Sequence, residues 1–138
     1  MLERSDDYPK GGLFCKTRKK YGGVLNGLFI YPSRGKTLIT CYVRYVIDPK
    51  KVNEFEHYAK LWIPLVAKFG GTHHGYFLPS EGANNIALAL FSFSSLTEYD
   101  KYRSDSFKDK ECLEAFDYAK QTNCVLSYER SFFRPVLN

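Results

Sequence analysis

The chain has 138 residues, 44% of them hydrophobic and 17% aromatic, which is the size of one domain with a substantial core. No apolar run approaches ~18 residues, so no membrane-spanning helix is expected. The formal net charge of +5 is unevenly spread: residues 1–38 hold eight Lys/Arg against three Asp/Glu, while residues 39–138 hold twelve of each. A nucleic-acid-binding domain needs positive charge gathered on its folded surface. Here the basic excess lies outside the domain, and no nucleic-acid partner is expected.

Residues 1–37 read as a basic, glycine-containing extension. They include Gly11-Gly12, Gly22-Gly23 and the run Lys16-Thr17-Arg18-Lys19-Lys20. The apolar stretch Val24 to Tyr31 is broken by Asn26 and Gly27, which is too poor for a signal peptide, and Glu3, Asp6 and Asp7 do not suit a mitochondrial presequence. Such a segment is expected to be disordered, to dock loosely, or to act as a basic arm. A further expectation is that it is a gene-model artefact, the natural protein starting at position 38. Residues 38–138 are read as the folded domain.

Ile39 to Ile47 is rich in β-branched and aromatic residues and predicts a strand. Its alternation puts Cys41, Val43 and Tyr45 on one face, and Thr40, Tyr42 and Arg44 on the other. Asp48-Pro49 predicts a helix start. Val52, Phe55, Ala59, Trp62, Val66 and Phe69 then recur at helical spacing, with Pro64 inside and Gly70-Gly71 as the stop. Thr72 to Leu78 predicts a second strand, and Ile86 to Phe93 a third, joined by the turn-forming residues 79–85. Ser95-Leu96-Thr97-Glu98 is a capping box that opens a short helix to about Arg103. A second helical stretch from about Ser106 to Gln121 shows Cys112, Leu113, Phe116 and Ala119 on its apolar side. Val125 to Arg134 predicts the last strand.

The order strand, helix, strand, strand, helix, strand is the ferredoxin-like βαββαβ pattern of an α+β domain, a four-stranded antiparallel sheet with its helices on one face. The third strand is apolar on both faces: Ile86, Leu88 and Leu90 with Ser92 on one, Ala87, Ala89, Phe91 and Phe93 on the other. Helices cover only one face, so the other is expected to meet a second copy, giving a two-fold homodimer.

Cys15, Cys41, Cys112 and Cys124 form no C-x-x-C pair and no zinc spacing, so they are expected to be reduced thiols in a cytoplasmic protein. His73 and His74 are adjacent on a strand and point to opposite faces, so no metal site is expected from them. His74 is expected to share a face with Thr72 and Tyr76. If that face coincides with the one carrying Tyr42 and Arg44, a polar group lies within an apolar sheet, as a small-ligand site requires. His74 is the candidate general base, with Tyr42, Arg44, His73, Tyr76 and Trp62 as candidate ligand contacts. Arg44 would hold a carboxylate or enolate; the competing reading pairs it with Glu129 across the sheet. The competing reading makes Trp62, on the apolar stripe, a core residue ahead of a ligand contact, and the histidines part-buried, hydrogen-bonded residues. The serines, cysteines and glycines show no nucleophile elbow or phosphate loop, and no cofactor is expected.

The run Tyr45-Val46-Ile47-Asp48-Pro49 leading into Lys50 to Phe55, then Gly70-Gly71, Gly75-Tyr76-Phe77, Ser95 to Tyr99, and Tyr102-Arg103-Ser104-Asp105 with Phe107 resembles the NIPSNAP family over about residues 38–138. The resemblance implies a dimeric α/β barrel of ferredoxin-like subunits, with a cavity on the sheet side or between sheet and helices. Where such relatives carry an arginine two residues before the strand tyrosine, this chain has Arg44 directly before Tyr45, so it should point to the opposite face. Three functions are implied: binding of a small organic molecule, cofactor-independent enzymology of the monooxygenase or isomerase kind with His74 as base, or protein interaction without chemistry.

Overall fold

The computed structural model describes residues 37–137, together with the backbone of the short antiparallel pair β1 (Val24–Leu25) and β2 (Leu28–Phe29). The remaining expectations for residues 1–36, the basic run and Cys15 included, lie outside the described residues.

The fold is built on Thr37–Asn138. Its elements are β3 (Ile39–Ile47), α1 (Val52–Lys68), β4 (Thr72–Phe77), β5 (Ile86–Phe93), α2 (Leu96–Ser106), α3 (Lys110–Thr122) and β6 (Val125–Phe133). The sheet order is β4-β5-β3-β6 with every neighbour antiparallel. This is the ferredoxin-like α+β arrangement that the element order predicts.

Alternation on β3 and β5 decides where the core lies. Cys41, Val43, Tyr45 and Ile47 are buried, and so are their partners Ala87, Ala89 and Phe91 with Phe93 beyond. The small Ala87 and Ala89 let α1 approach the sheet closely, and Phe55 of α1 meets the Tyr45 ring edge-on at 5.1 Å. From α2, Tyr99 packs between Phe93 and Phe132, at 5.8 and 4.8 Å between ring centroids. Edge-to-face pairs such as these add to plain area burial. Among the described residues no helix lies on the opposite face of the sheet. There Tyr42, Arg44, Val46, Ile86, Leu88 and Leu90 are all only partly covered.

Local features differ from the sequence expectation at several points. Asp48 does not cap α1. Its Oδ1 accepts from the Lys50 N–H and its carbonyl accepts from the Lys51 N–H, both at 2.9 Å, so it forms a turn ahead of a helix that starts at Val52. The buried stripe of α1 takes in Tyr58 and Leu65, while Val52 and Phe69 at the two ends stay half-exposed. On α3, Ala115 is buried and Leu113 is 43% exposed. The Ser95 signal holds, its Oγ accepting from the Glu98 N–H at 3.2 Å. The next helix starts at Lys110 rather than near Ser106, capped by Asp109 Oδ1 through the Cys112 N–H at 3.1 Å. α1 runs through Pro64, whose ring is exposed.

Candidate functional site

The pairing of β4 with β5 slips between His73 and Gly75: His73 lies opposite Phe91 and Gly75 opposite Leu90, which leaves His74 as the extra residue of a bulge. Gly75 takes φ +113°, a backbone conformation open to glycine and strained for other residues. The bulge shifts everything after it by one face. His74 turns to the uncovered face, but Tyr76 pairs with Ala89 and turns toward the helices. The expectation that His74 and Tyr76 share a face therefore fails, because strict alternation does not survive an inserted residue.

On the uncovered face His74 Nε2 lies 2.7 Å from Ser92 Oγ, and Ser92 Oγ lies 2.8 Å from Thr40 Oγ1. These three side chains from β4, β5 and β3 form one hydrogen-bonded chain across the sheet. Ser92 is the middle link and is only 3% exposed. Tyr42 follows two residues along β3, and its ring meets Phe133 at 6.0 Å. Arg44 faces Glu129 across the β3–β6 ladder with 3.8 Å between guanidinium and carboxylate. Both partners are well exposed, so the pair is weak and leaves the guanidinium available. Arg44 and His74 are two strands apart and offset along them, which places their Cα atoms roughly 12 Å apart. Around these polar groups stand Val46, Ile86, Leu88, Leu90, Phe77 and Phe133, with Phe77 and Phe133 49% and 54% exposed.

The other sequence candidates lie on the helix side of the sheet. His73 is stacked between Tyr76 and Phe91, at 4.9 and 5.6 Å between ring centroids. Its Nδ1 accepts the Gly75 N–H at 2.9 Å, which places the proton of the neutral ring on Nε2. That Nε2 is shut off from water and has no hydrogen-bond partner. Burial, with a smaller push from His74, holds its pKa down at about 4, so the ring is neutral at ordinary pH. Trp62 is 5% exposed and packs on Phe116 at 4.9 Å, with its indole N–H unpartnered. Among the candidates, then, the structure gathers Tyr42, Arg44 and His74 on one face and His73, Tyr76 and Trp62 beneath the other.

Cys41, Cys112 and Cys124 are buried and free. Burial pushes Cys41 and Cys112 up to about 12 and raises Cys124, so all three are protonated, unreactive thiols at neutral pH. Among the described residues no group of three or more His, Cys, Asp and Glu is placed to hold a metal ion, and no helix is long and apolar enough to cross a membrane. Sequence reading missed Ser92 and Thr40 because isolated hydroxyls in a strand carry no signal until the register is known.

No curated protein matches the chain. Among solved structures, a NIPSNAP-like domain protein from Burkholderia xenovorans is 18% identical, with 73% of this chain and 87% of that one covered and a TM-score of 0.62. A NIPSNAP family protein of unknown function from Agrobacterium tumefaciens is 17% identical, with 72% and 89% covered and a TM-score of 0.63. A Bacteroides thetaiotaomicron protein provisionally named an antibiotic biosynthesis monooxygenase is 14% identical, with 75% and 93% covered and a TM-score of 0.54. At such identities the likeness is one of fold. The family model named NIPSNAP matches residues 42–137, and the chain belongs to the NIPSNAP family.

Proposed function

We propose that the protein works as a two-fold homodimer whose uncovered sheet faces meet, and that the dimer binds a small organic molecule between them. The observation that carries this reading is the composition of that face: a row of half-exposed large apolar side chains interrupted by the Thr40–Ser92–His74 chain, Tyr42 and Arg44. An apolar wall with a few converging polar groups is what a small-ligand site consists of. An apolar sheet face of this kind also needs a partner, and a second copy offers the same self-complementary surface. Binding is favoured over a reaction. The candidate general base, His74, has its Nε2 engaged by Ser92 rather than free to take a substrate proton. The buried free thiols suit a reducing compartment such as the cytoplasm.

Native mass spectrometry of the protein purified from its source tests both halves of this reading. The expected result is a dimer mass with a retained organic ligand that is released on denaturation. A dimer with no added mass, and no response to a small-molecule library, would favour an interaction module instead; a monomer would overturn the arrangement.

A further inference from the structure

Among the described residues, the uncovered face of the four strands carries two formal charges, Arg44 of β3 and Glu129 opposite it on the edge strand β6. They do not complete one another. The 3.8 Å between guanidinium and carboxylate is well beyond a charge-assisted hydrogen bond of about 2.7–2.9 Å, and the side chains are 40% and 67% exposed. Exposed in this way, both groups are hydrated in the free subunit. When a second copy covers the face that water leaves, and an arginine held so loosely costs free energy. A carboxylate in two-point contact with the guanidinium removes the deficit, because its two oxygens match the planar fork.

A second polar point stands on the same face. His74 is exposed, and its Nε2 is tied to Ser92 Oγ at 2.7 Å, which leaves Nδ1 as the ring nitrogen for a ligand. Nδ1 donates in one tautomer and accepts in the other, and a hydroxyl group answers either. Between the two points the face is apolar. Leu88 of β5 lies opposite Arg44. Leu90, the next residue on that face, lies between Tyr42 on one side and Gly75, the neighbour of His74, on the other. By strand spacing the Cα atoms of Arg44 and His74 stand roughly 12 Å apart. An anchor for an anion, an apolar floor and a neutral hydrogen-bonding point follow one another across the sheet, and a ligand that fits them has the same three parts.

We propose that the ligand of this face is an elongated organic carboxylate with a hydroxyl group at its far end. Arg44 holds the carboxylate, Leu88, Leu90 and the Tyr42 ring carry the apolar chain, and His74 Nδ1 bonds the hydroxyl. Glu129 competes with the ligand for Arg44 and is displaced into water on binding. The proposal deepens the small-molecule reading above and rests on it, since the Arg44 contact is strong only where the second copy keeps water off the face.

Calorimetry of the full-length protein at pH 7 tests this with ω-hydroxyoctanoate, octanoate, octanol and ω-hydroxybutanoate as probes, beside light scattering for the dimer mass. ω-Hydroxyoctanoate is expected to bind tightest and octanoate several-fold more weakly. Octanol lacks the anion and ω-hydroxybutanoate the long chain, and both are expected to bind more weakly still. Arg44→Gln should lose about tenfold or more in affinity for octanoate, the scale of one charge-assisted contact, and leave octanol unchanged. Glu129→Gln should bind octanoate more tightly than the wild type, because it removes the competing anion. His74→Phe should keep octanoate binding and abolish the preference for ω-hydroxyoctanoate. Lys110→Gln, a change at an exposed position on α3, should bind as the wild type does. Should Arg44→Gln fail to fold or to pair, the comparison is made in the Glu129→Gln background, where no unpaired acid is left on the face. Equal affinity for octanoate and octanol, undiminished octanoate binding in Arg44→Gln, or weakened binding in Glu129→Gln would overturn the proposal. A dimer that retains some other organic molecule and binds no carboxylate would overturn it and leave the ligand-binding dimer standing; a monomer that binds none of the probes would overturn both.

Discussion

His74 and Ser92 meet across the β4–β5 ladder, Nε2 to Oγ at 2.7 Å, because His74 keeps the face of Thr72, which pairs with Ser92, ahead of the register slip that turns Tyr76 away. Ser92 also holds Thr40, so one hydroxyl ties three strands together. Ser92→Ala should cost about 1 kcal/mol or somewhat more, since it leaves two partners unsatisfied. Urea denaturation measures this, and a wild-type midpoint in the variant would show that the chain of hydroxyls contributes nothing.

Leu88 and Phe91 sit on opposite faces of β5, Leu88 half-exposed opposite Arg44 and Phe91 buried at 6% exposure opposite Cys41. A lysine at each position should therefore act differently. Leu88→Lys should leave the subunit folded and shift the light-scattering mass from dimer to monomer, because two copies of the charge would meet at the interface. Phe91→Lys should unfold the domain, because it buries an unpaired ammonium among aromatic rings. A Leu88→Lys protein that remains a dimer would place the interface elsewhere.

Gly71 is fixed by contact rather than by backbone angle. A Cβ there would stand 2.7 Å from Phe93 Cζ and 2.7 Å from Val66 Cγ1, and both neighbours are core side chains 2% and 1% exposed. Gly71→Ala should destabilise by about 1–3 kcal/mol through overpacking. Phe93→Leu shortens the opposing side chain, so in the double variant the two losses should sum to less than the separate costs. Thermal melts of the two single variants and the double decide it, and simple additivity would mean that the crowding is relieved elsewhere.

The βαββαβ order was legible because each element carries its own signal: β-branched runs at Ile39–Ile47 and Ile86–Phe93, a 3.6-residue stripe in α1, and the Ser95 capping box. The doubly apolar β5 also announced that both sheet faces call for cover, though not which of them the helices take. The site was legible only in part. Tyr42, Arg44 and His74 do share a face, since β3 is regular between residues 39 and 46. Tyr76 was misplaced because nothing in Thr72-His73-His74-Gly75 separates a bulge from a straight strand, although a glycine inside a strand is the available hint.

His73 gives the fold a pH dependence with a defined sign. Folding lowers its pKa from the ordinary 6.5 to about 4, mainly because the ring is desolvated between Tyr76 and Phe91. The folded state favours the neutral ring, so between these two values the unfolded chain binds more protons than the folded one, and stability rises with pH. The contribution is complete above about pH 6.5 and is lost as pH falls toward 4. His73→Phe keeps an aromatic ring in the stack and removes the titrating group, at the cost of the hydrogen bond from the Gly75 N–H. The variant should start less stable at pH 7.5 and lose less on acidification, so its denaturation midpoints between pH 7 and 4.5 should fall less steeply than those of the wild type. Parallel slopes for the two proteins over that range would show that His73 titrates normally and that the acid sensitivity of the fold has another source.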